Sequence, residues 1–198
     1  MQFACPFILA SGSPRRKRLL QQLGLQFTVH VSDADESFDA NLTPAEIASQ
    51  IAARKVEVVS NAHPTSLTLA ADTIVVLDNE ILGKPVDEQD AIDMLTRLNG
   101  RKHTVFTGLA LAHPTSGRLI TAAEATDVHF GDMTNEEIIQ YVGTGSPMDK
   151  AGAYGIQDDQ GALFVSKVEG DYYNVVGLPL FRLYQIIKAS FSDLLISF

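Results

Sequence analysis

The sequence predicts an α/β protein of the mixed, α+β-like kind, built on a mixed β-sheet. Apolar segments typical of strands alternate irregularly with amphipathic segments that begin at helix-capping residues. Turns at Asp78-Asn79 and Pro114–Gly117 predict hairpins, which a regular doubly wound parallel sheet would not contain. Hydrophobic residues make up 45% of the 198 residues, which is enough for a substantial core.

The N-terminal segment predicts a strand, a tight turn and a helix. Residues 7–10 are apolar and lead into Ser11-Gly12-Ser13, where Ser13 is a favourable N-cap and Pro14 suits the first helical position. The cations of residues 15–18 then crowd the positive end of the helix dipole, which disfavours each by roughly 0.3–1 kcal/mol. Backbone N–H groups at such a turn bind anions, so the pattern by itself is equally consistent with a phosphate site and with a solvated basic turn.

The later elements follow from capping boxes and apolar runs. Capping boxes at Thr43–Glu46 and Thr134–Glu137 begin helices that we expect to end near Val59 and Val142. The Gly- and Pro-rich stretch Gly143–Gly161 predicts an ordered functional loop rather than a linker. The remaining predicted elements are helices of residues 87–100 and 178–189 and strands of residues 67–77, 81–82, 103–112, 119–130, 163–168 and 172–176.

Charge and composition exclude several classes of protein. The formal net charge of -9 argues against nucleic-acid polymers and anionic membranes as partners, because both need a broad positive surface. The sequence shows neither a leader segment nor a run of about 18 apolar residues, and Cys5 is the single cysteine, so we expect a cytoplasmic protein. The five histidines lack zinc-ligand spacing, and no Gly-x-Ser-x-Gly motif indicates a serine hydrolase.

Two charged residues stand where the hydrophobic pattern favours apolar ones. Asp72 shares a strand face with Ile74 and Val76, where an unpaired carboxylate is costly. A structural Asp bonded to backbone amides is one interpretation, and a catalytic base or cation ligand is the one that we favour. Lys55 lies at the edge of an apolar helix face, either as a snorkelling lysine or as an ammonium directed at a phosphate.

Further polar residues widen the candidate site. Glu36 lies in an acidic loop that could simply be solvated, and Lys84 follows a short predicted strand. Asp149 and Lys150 begin a Gly-containing segment in which Gln157 can form two hydrogen bonds with the edge of a base. Oxygen ligands together with several cations are what hydrolysis of a phosphoanhydride with Mg²⁺ or Mn²⁺ requires.

Five ordered motifs carry a family resemblance that covers the chain from residue 8 to about residue 180. They are Leu-Ala-Ser-Gly-Ser-Pro-Arg-Arg at 9–16, Ala-Asp-Thr-Ile-Val at 71–75, Gly-Lys-Pro at 83–85, Asp-Lys-Ala-Gly-Ala-Tyr-Gly-Ile-Gln at 149–157, and Tyr-Asn-Val-Val-Gly-Leu-Pro at 173–179. Together they resemble the Maf family of nucleoside triphosphate pyrophosphatases. Ala70 and Asp171 depart from the residues common in that family, which bears on the substrate range more than on the reaction class.

The resemblance implies a Maf/Ham1 (ITPase-like) fold, an elongated mixed sheet in a single domain of residues 1–198 with two lobes flanking a nucleotide cleft. It implies hydrolysis between the α- and β-phosphates, which yields a nucleoside monophosphate and pyrophosphate. Asp72 matches the catalytic base, and Glu36, Lys55 and Lys84 match positions around the metal and triphosphate. Glu36 and Asp72 are the expected ligands of a divalent cation, Mg²⁺ or Mn²⁺.

Substrate recognition is the finer part of the resemblance. Arg15, Thr73 and Gln157 match positions that mark the dTTP/UTP branch. The complete set of predicted substrate contacts is Ser11, Ser13, Arg15, Arg16, Thr73, Asp149, Lys150 and Gln157. Two alternatives stay open, a pyrophosphatase of another base preference and a nucleotide-binding regulator of cell division or septum formation, and so does a homodimer.

Overall fold

The chain divides into two compact units in a computed structural model that describes residues 1–157 and 159–197. Unit 1 comprises residues 1–72, residues 107–124 and the chain from Gly177 onward. Unit 2 comprises residues 73–106 and 125–176. The predicted mixed α/β class is confirmed, since helices and both parallel and antiparallel strand pairs are present.

Helices and strands alternate along the described residues as follows. The helices are α1 (Pro14–Gln22), α2 (Pro44–Ala62), α3 (Glu88–Leu98), α4 (Asn135–Gly143), α5 (Tyr172–Val176) and α6 (Leu180–Ser190). The strands are β1 (Gln2–Phe3), β2 (Phe7–Leu9), β3 (Thr28–Val29), β4 (Leu67–Leu77), β5 (Glu80–Leu82), β6 (Lys102–His113), β7 (Arg118–Phe130), β8 (Val165–Glu169) and β9 (Leu195–Ser197). Short 3-10 segments cover residues 114–116, 146–149, 151–153, 159–164 and 192–194.

The main sheet combines parallel and antiparallel pairs. Its strand order is β3-β2-β4-β6-β7-β8, and β5 pairs with β4. Strand β2 runs parallel to β3 and β4, while β5 and β8 run antiparallel to β4 and β7. Strands β1 and β9 form a separate antiparallel pair.

Helices α1, α2 and α4 begin directly after the predicted N-cap residues. Ser13 Oγ accepts a hydrogen bond from the Arg16 backbone N–H at 3.4 Å, with Pro14 as the first residue of α1. Thr43 and Thr134 form complete capping boxes with the glutamates three residues later, which satisfies N–H groups at the starts of α2 and α4. Local chemistry therefore fixes these helix starts.

The prediction of a strand at residues 172–176 is wrong, because these residues form the short helix α5. Its first turn is held by Asp171, whose Oδ1 accepts the Tyr173 backbone N–H at 2.8 Å. Asn174 is fully buried, and its Nδ2 donates to Val105 O at 3.0 Å and to Thr126 Oγ1 at 2.9 Å. These polar contacts outweigh the strand propensity of the Tyr and Val side chains.

Small shifts affect other boundaries. Helix α2 ends at Ala62 rather than near Val59, and the last helix begins at Leu180 rather than at residue 178. Residues 163 and 164 belong to a 3-10 segment, so β8 begins at Val165. The Asp78-Asn79 hairpin is confirmed, with positive φ values of 52° and 66° at its two central residues.

Helix α2 packs closely onto the strands of unit 1. Its apolar face contributes Ala52, Val56 and Val59 to a buried cluster that also includes Ile8, Ala10, Ala70, Ala110 and Ala112. At Gly108 of β6, an added Cβ would lie only 2.2 Å from the backbone of Ala48, so the backbones of helix and strand touch there. This close approach holds the first turns of α2 against β6. Among the described residues, no helix is long and apolar enough to cross a bilayer.

Candidate functional site

A lysine lies between two carboxylates in unit 1. Lys55 Nζ on α2 is 2.6 Å from Asp72 Oδ1 on β4 and 2.8 Å from Glu36 Oε1 in the loop before α2. The structure thus brings three of the candidate site residues together, and their catalytic and metal-binding roles stay predictions. The ammonium compensates both negative charges at once.

Burial differs sharply between the two carboxylates. The side chains of Lys55 and Asp72 are 11% and 12% exposed, whereas that of Glu36 is 58% exposed. A buried ion pair of this kind is costly to desolvate and is weak evidence for stability. The Lys55–Asp72 pair is therefore better explained by chemistry than by folding, and Glu36 supplies the solvent-facing part of the cluster.

The predicted phosphate turn lies close to Asp72 through strand pairing. Strand β2 is parallel to β4 with Leu9 opposite Leu69, and the Ala10 backbone N–H donates to Leu69 O at 2.7 Å. Residues 11–13 follow the end of β2, while Asp72 lies three residues beyond Leu69. Because the two strands run in the same direction and β4 continues to Leu77, the turn that follows β2 lies beside the middle of β4, near Asp72.

Arg16 is built into the base of this turn. Its Nε donates to Gly177 O at 2.8 Å, and one terminal nitrogen donates to Ser11 Oγ at 3.0 Å. Ser11 Oγ also accepts the Ser13 backbone N–H at 3.3 Å. Arg16 thereby orders the turn from within, a role that the sequence did not indicate.

Burial and three nearby charged residues shift the pKa of Arg16. Burial lowers the pKa of its guanidinium from the ordinary value; Asp72 and Glu36 act in the opposite direction, and Arg15 reinforces the lowering. The residue stays a cation, as arginine does in proteins. Arg16 therefore interacts electrostatically with Asp72 and Glu36, the two carboxylates that Lys55 bridges.

The donor set of unit 1 fits a hard divalent cation. Asp72 and Glu36 provide carboxylate oxygens, which Mg²⁺ and Mn²⁺ prefer, and such ions usually complete their coordination with water and substrate phosphate. Across residues 1–157 and 159–197, no group of three or more His, Cys, Asp or Glu side chains is arranged to hold a metal by itself. Two carboxylates leave most of the coordination shell of such a cation open, so these residues suit a cation that is also bound by phosphate oxygens of a ligand.

Unit 2 contains the other predicted site residues. Thr73 is half-buried at the start of this unit's part of β4, and Lys84 is exposed just after β5. The Gly83 carbonyl oxygen accepts the Gly152 backbone N–H at 2.9 Å. The Gly-Lys-Pro motif is therefore tied to the segment of residues 149–157.

Within that segment, Lys150 is buried and bonded locally. Its Nζ donates to Asp149 Oδ1 at 2.8 Å and to the backbone carbonyl of Ser146. Gln157 is half-buried at the other end of the segment. Substrate contact by Asp149, Lys150 and Gln157 stays a prediction.

A buried pair that the sequence did not indicate joins the same segment to strand β6. His103 Nε2 on β6 lies 2.7 Å from Tyr154 Oη, and the two residues are 2% and 5% exposed. The spacing of the histidines bears only on zinc binding, and the 51-residue separation of His103 from Tyr154 leaves no signal in a single sequence.

Comparisons with known proteins agree with one another. A family model described as Maf-like protein matches residues 6–190. The dTTP/UTP pyrophosphatase of Salinibacter ruber is 50% identical over 195 residues, covering 98% of this chain and 96% of that protein. The dTTP/UTP pyrophosphatase of Halalkalibacterium halodurans is 51% identical over 183 residues, covering 92% and 95%.

A solved structure supports the fold. The Ham1 protein of Staphylococcus aureus superposes with a TM-score of 0.55 at 14% sequence identity, covering 92% of this chain and 98% of that chain. At this identity the likeness concerns the fold alone. The predicted Maf/Ham1 type of fold is confirmed.

Proposed function

The chain belongs to the Maf family, and from this premise we propose that it hydrolyses dTTP and UTP between the α- and β-phosphates. Each turnover consumes one water and yields one nucleoside monophosphate and one pyrophosphate. The observation that carries the proposal is the charged cluster of Lys55 between Asp72 and Glu36, next to the Ser11–Ser13 turn that follows β2. The predicted family and enzyme class are confirmed by the family model and by relatives near 50% identity.

Asp72 is the proposed base. Its carboxylate is largely shielded from solvent and can accept a proton from the attacking water. Lys55 holds Oδ1 of that carboxylate, which leaves the group fixed in direction before substrate arrives. Asp72 and Glu36 would hold a divalent cation, Mg²⁺ or Mn²⁺, which would neutralise phosphate charge when bound.

The triphosphate is proposed to lie on the Ser11–Ser13 turn. The N-terminus of α1 offers backbone N–H groups, and Arg15 and Arg16 supply positive charge. Arg16 also keeps Ser11 in place, so its contribution combines charge with positioning. Lys84 and Lys150 are proposed to bind the substrate through their positive charges. Asp149 is proposed to orient Lys150, with which it forms an ion pair.

Base selection is assigned to Thr73 and Gln157. A pyrimidine with an O4 acceptor and an N3 donor matches the donor and acceptor of the glutamine amide. Guanine and adenine present other patterns and larger rings. The support for this part is the family resemblance and the dTTP/UTP names of the relatives.

A regulatory nucleotide-binding role has weaker support. A pure binding protein gains nothing from a shielded carboxylate paired with a buried lysine, since desolvation of that pair costs free energy. We also propose a cytoplasmic location, on the ground that Cys5 is the single cysteine of the sequence. The proposed partners are nucleotides, and neither a nucleic-acid polymer nor an anionic membrane, because the net charge is -9. A homodimer stays open.

The experiment is product analysis across dTTP, UTP, CTP, GTP and ATP with Mg²⁺ or Mn²⁺. We expect monophosphate and pyrophosphate in equal amounts, with the highest kcat/KM for dTTP and UTP. Release of orthophosphate with a nucleoside diphosphate would contradict the bond assignment. Highest activity with a purine nucleotide would contradict the base assignment and leave the reaction class standing.

A further inference from the structure

The segment that carries Gln157 is fastened to unit 2 at three successive points. Gly152 donates its backbone N–H to Gly83 O at 2.9 Å. Tyr154 Oη meets His103 Nε2 at 2.7 Å, and the Gly155 backbone N–H donates to Tyr141 Oη at 3.2 Å. Each contact lies two to five residues before Gln157, so together they define where its backbone begins.

Aromatic packing fixes the side chains of Tyr154 and Tyr141. The rings of His103, Phe130 and Tyr154 form three edge-to-face pairs with centroid separations of 4.8–5.3 Å. Tyr141 packs edge-to-face on Phe164 at 5.2 Å. Such pairs add specific geometry to the area that they bury, so neither hydroxyl is free to swing away.

The backbone between these contacts is strained. Gly152 and Ala153 both have left-handed φ values, 68° and 60°, and Ala153 is completely buried. A Cβ at Gly152 would also lie 3.0 Å from the Val75 side chain. A buried alanine in this conformation persists only where its surroundings determine it, and such strain is concentrated at functional sites.

The His103–Tyr154 contact is costly for a purely structural bond. Both residues are buried, and His103 Nδ1 has no hydrogen-bond partner within the described part of the chain. Two apolar rings of the same shape would fill this space without an unpaired nitrogen. Since a pair of phenylalanines could fill the same space, the polar pair serves to hold Tyr154 in one orientation by a directional hydrogen bond rather than to stabilise the fold.

We propose that His103 and Tyr141 are positioning residues for base selection, acting through Tyr154 and Gly155 to set the place of Gln157. This inference rests on the proposed function, since it needs Gln157 to read the base. The hydroxyl contacts fix the segment before nucleotide binds, so the glutamine amide loses little freedom on binding. Selectivity for pyrimidines then depends on two hydroxyls that need not touch the substrate themselves.

The test compares Tyr154→Phe, the double variant His103→Phe/Tyr154→Phe, and Gln157→Glu. The measured quantities are KM and kcat for dTTP and GTP and the melting temperature. We expect Tyr154→Phe to lower the dTTP-to-GTP ratio of kcat/KM about tenfold, the scale of one lost hydrogen bond. The change should lie in KM for dTTP, with kcat within about twofold, because the Asp72–Lys55 cluster is untouched.

The double variant separates positioning from structure. It replaces both polar partners by apolar rings, so it should recover the melting temperature lost in Tyr154→Phe and keep the low selectivity. Recovery of selectivity along with stability would overturn the inference. Tyr141→Phe gives an independent arm that should lower the same ratio, and Tyr184→Phe on α6 is the matched control that should not.

Gln157→Glu tells apart the two ways in which the idea could fail. If this variant loses selectivity and Tyr154→Phe does not, the positioning inference alone is overturned. If Gln157→Glu keeps the wild-type ratio, Gln157 does not read the base, and both the base assignment and the inference are wrong. Pyrophosphate release from dTTP would still support the reaction class in either case.

Discussion

The two candidate regions hold their polar groups by opposite means. In unit 1, Lys55 is flanked by the charges of Asp72 and Glu36 at 2.6 and 2.8 Å. In unit 2, the buried contact between His103 and Tyr154 is between neutral groups, because burial lowers the pKa of His103 to about 4 and raises the pKa of Tyr154. One region is built on charge and the other on hydrogen-bond direction.

The difference matches what each region is proposed to do. Stabilising a triphosphate and a developing negative charge needs ions, and ions in a shielded place must be paired until substrate arrives. Distinguishing one base from another needs donors and acceptors at fixed positions, which neutral groups supply at a lower desolvation cost. Charge should therefore control turnover, and neutral contacts should control selectivity.

Asp72→Asn should have the largest effect on turnover. The amide cannot accept a proton from water, so kcat should fall by roughly 10²–10⁴, while the fold and most nucleotide binding persist. Stopped assays of pyrophosphate release from dTTP measure the change. Asp93→Asn, an exposed carboxylate on α3, is the matched control and should retain wild-type kcat; near-normal turnover in Asp72→Asn would rule out its role as the base.

Lys55→Met should have the largest effect on stability. It leaves Asp72 shielded from water without its cation, and removing one partner of a buried pair costs about 3–5 kcal/mol in the free energy of unfolding. Urea unfolding measures this. Lys102→Met is the control: it breaks a surface pair with Asp127, in which the two side chains are 54% and 29% exposed, and it should cost far less because solvent screens that pair. Equal losses in both variants would show that the Lys55 pair is not special.

His103 should make stability depend on pH in the acidic range. Burial lowers its pKa from 6.5 to about 4, an effect that Asp127 partly opposes and His129 adds to. Between pH 6.5 and about 4, His103 is therefore protonated in the unfolded chain and neutral in the folded chain. The free energy of unfolding should consequently fall as the pH drops from 7 to 4.5. The expected loss from this group is about 2 kcal/mol.

The measurement is urea unfolding at pH 7 and 4.5 of the wild type and of His103→Phe/Tyr154→Phe. Other titrating groups contribute to both proteins, so the difference between the two pH dependences isolates His103. The double variant should lose less stability on acidification than the wild type. Identical pH dependences would mean that His103 titrates normally in the folded protein.

Arg15→Ala should have the smallest effect of the four. Loss of one charge-assisted contact to the triphosphate should raise KM for dTTP about tenfold and weaken its dependence on salt, with little change in kcat. KM measured at low and high ionic strength checks this. Arg182→Ala, an exposed cation on α6, is the control, and an unchanged KM in Arg15→Ala would return the basic turn to the role of a solvated surface.

Local signals explain most of what could be predicted. The N-caps at Ser13, Thr43 and Thr134 and the turn at Asp78-Asn79 each depend on neighbours within four residues, and all are present in the structure. The prediction for residues 172–176 was wrong because the decisive contacts of Asn174 reach Val105 and Thr126, about 50 to 70 residues away.

The sequence alone determined the fold class, the capped helices, the five ordered family motifs and the unusual places of Asp72 and Lys55. These depend on composition, periodicity and side-chain chemistry, which are present in the chain before it folds. Only the tertiary structure decided that Lys55 bridges Asp72 and Glu36, that Arg16 reaches Gly177, and that His103 meets Tyr154. Those contacts join residues 17 to 161 positions apart, and a distance of that kind is set by the packing of whole elements rather than by any local pattern.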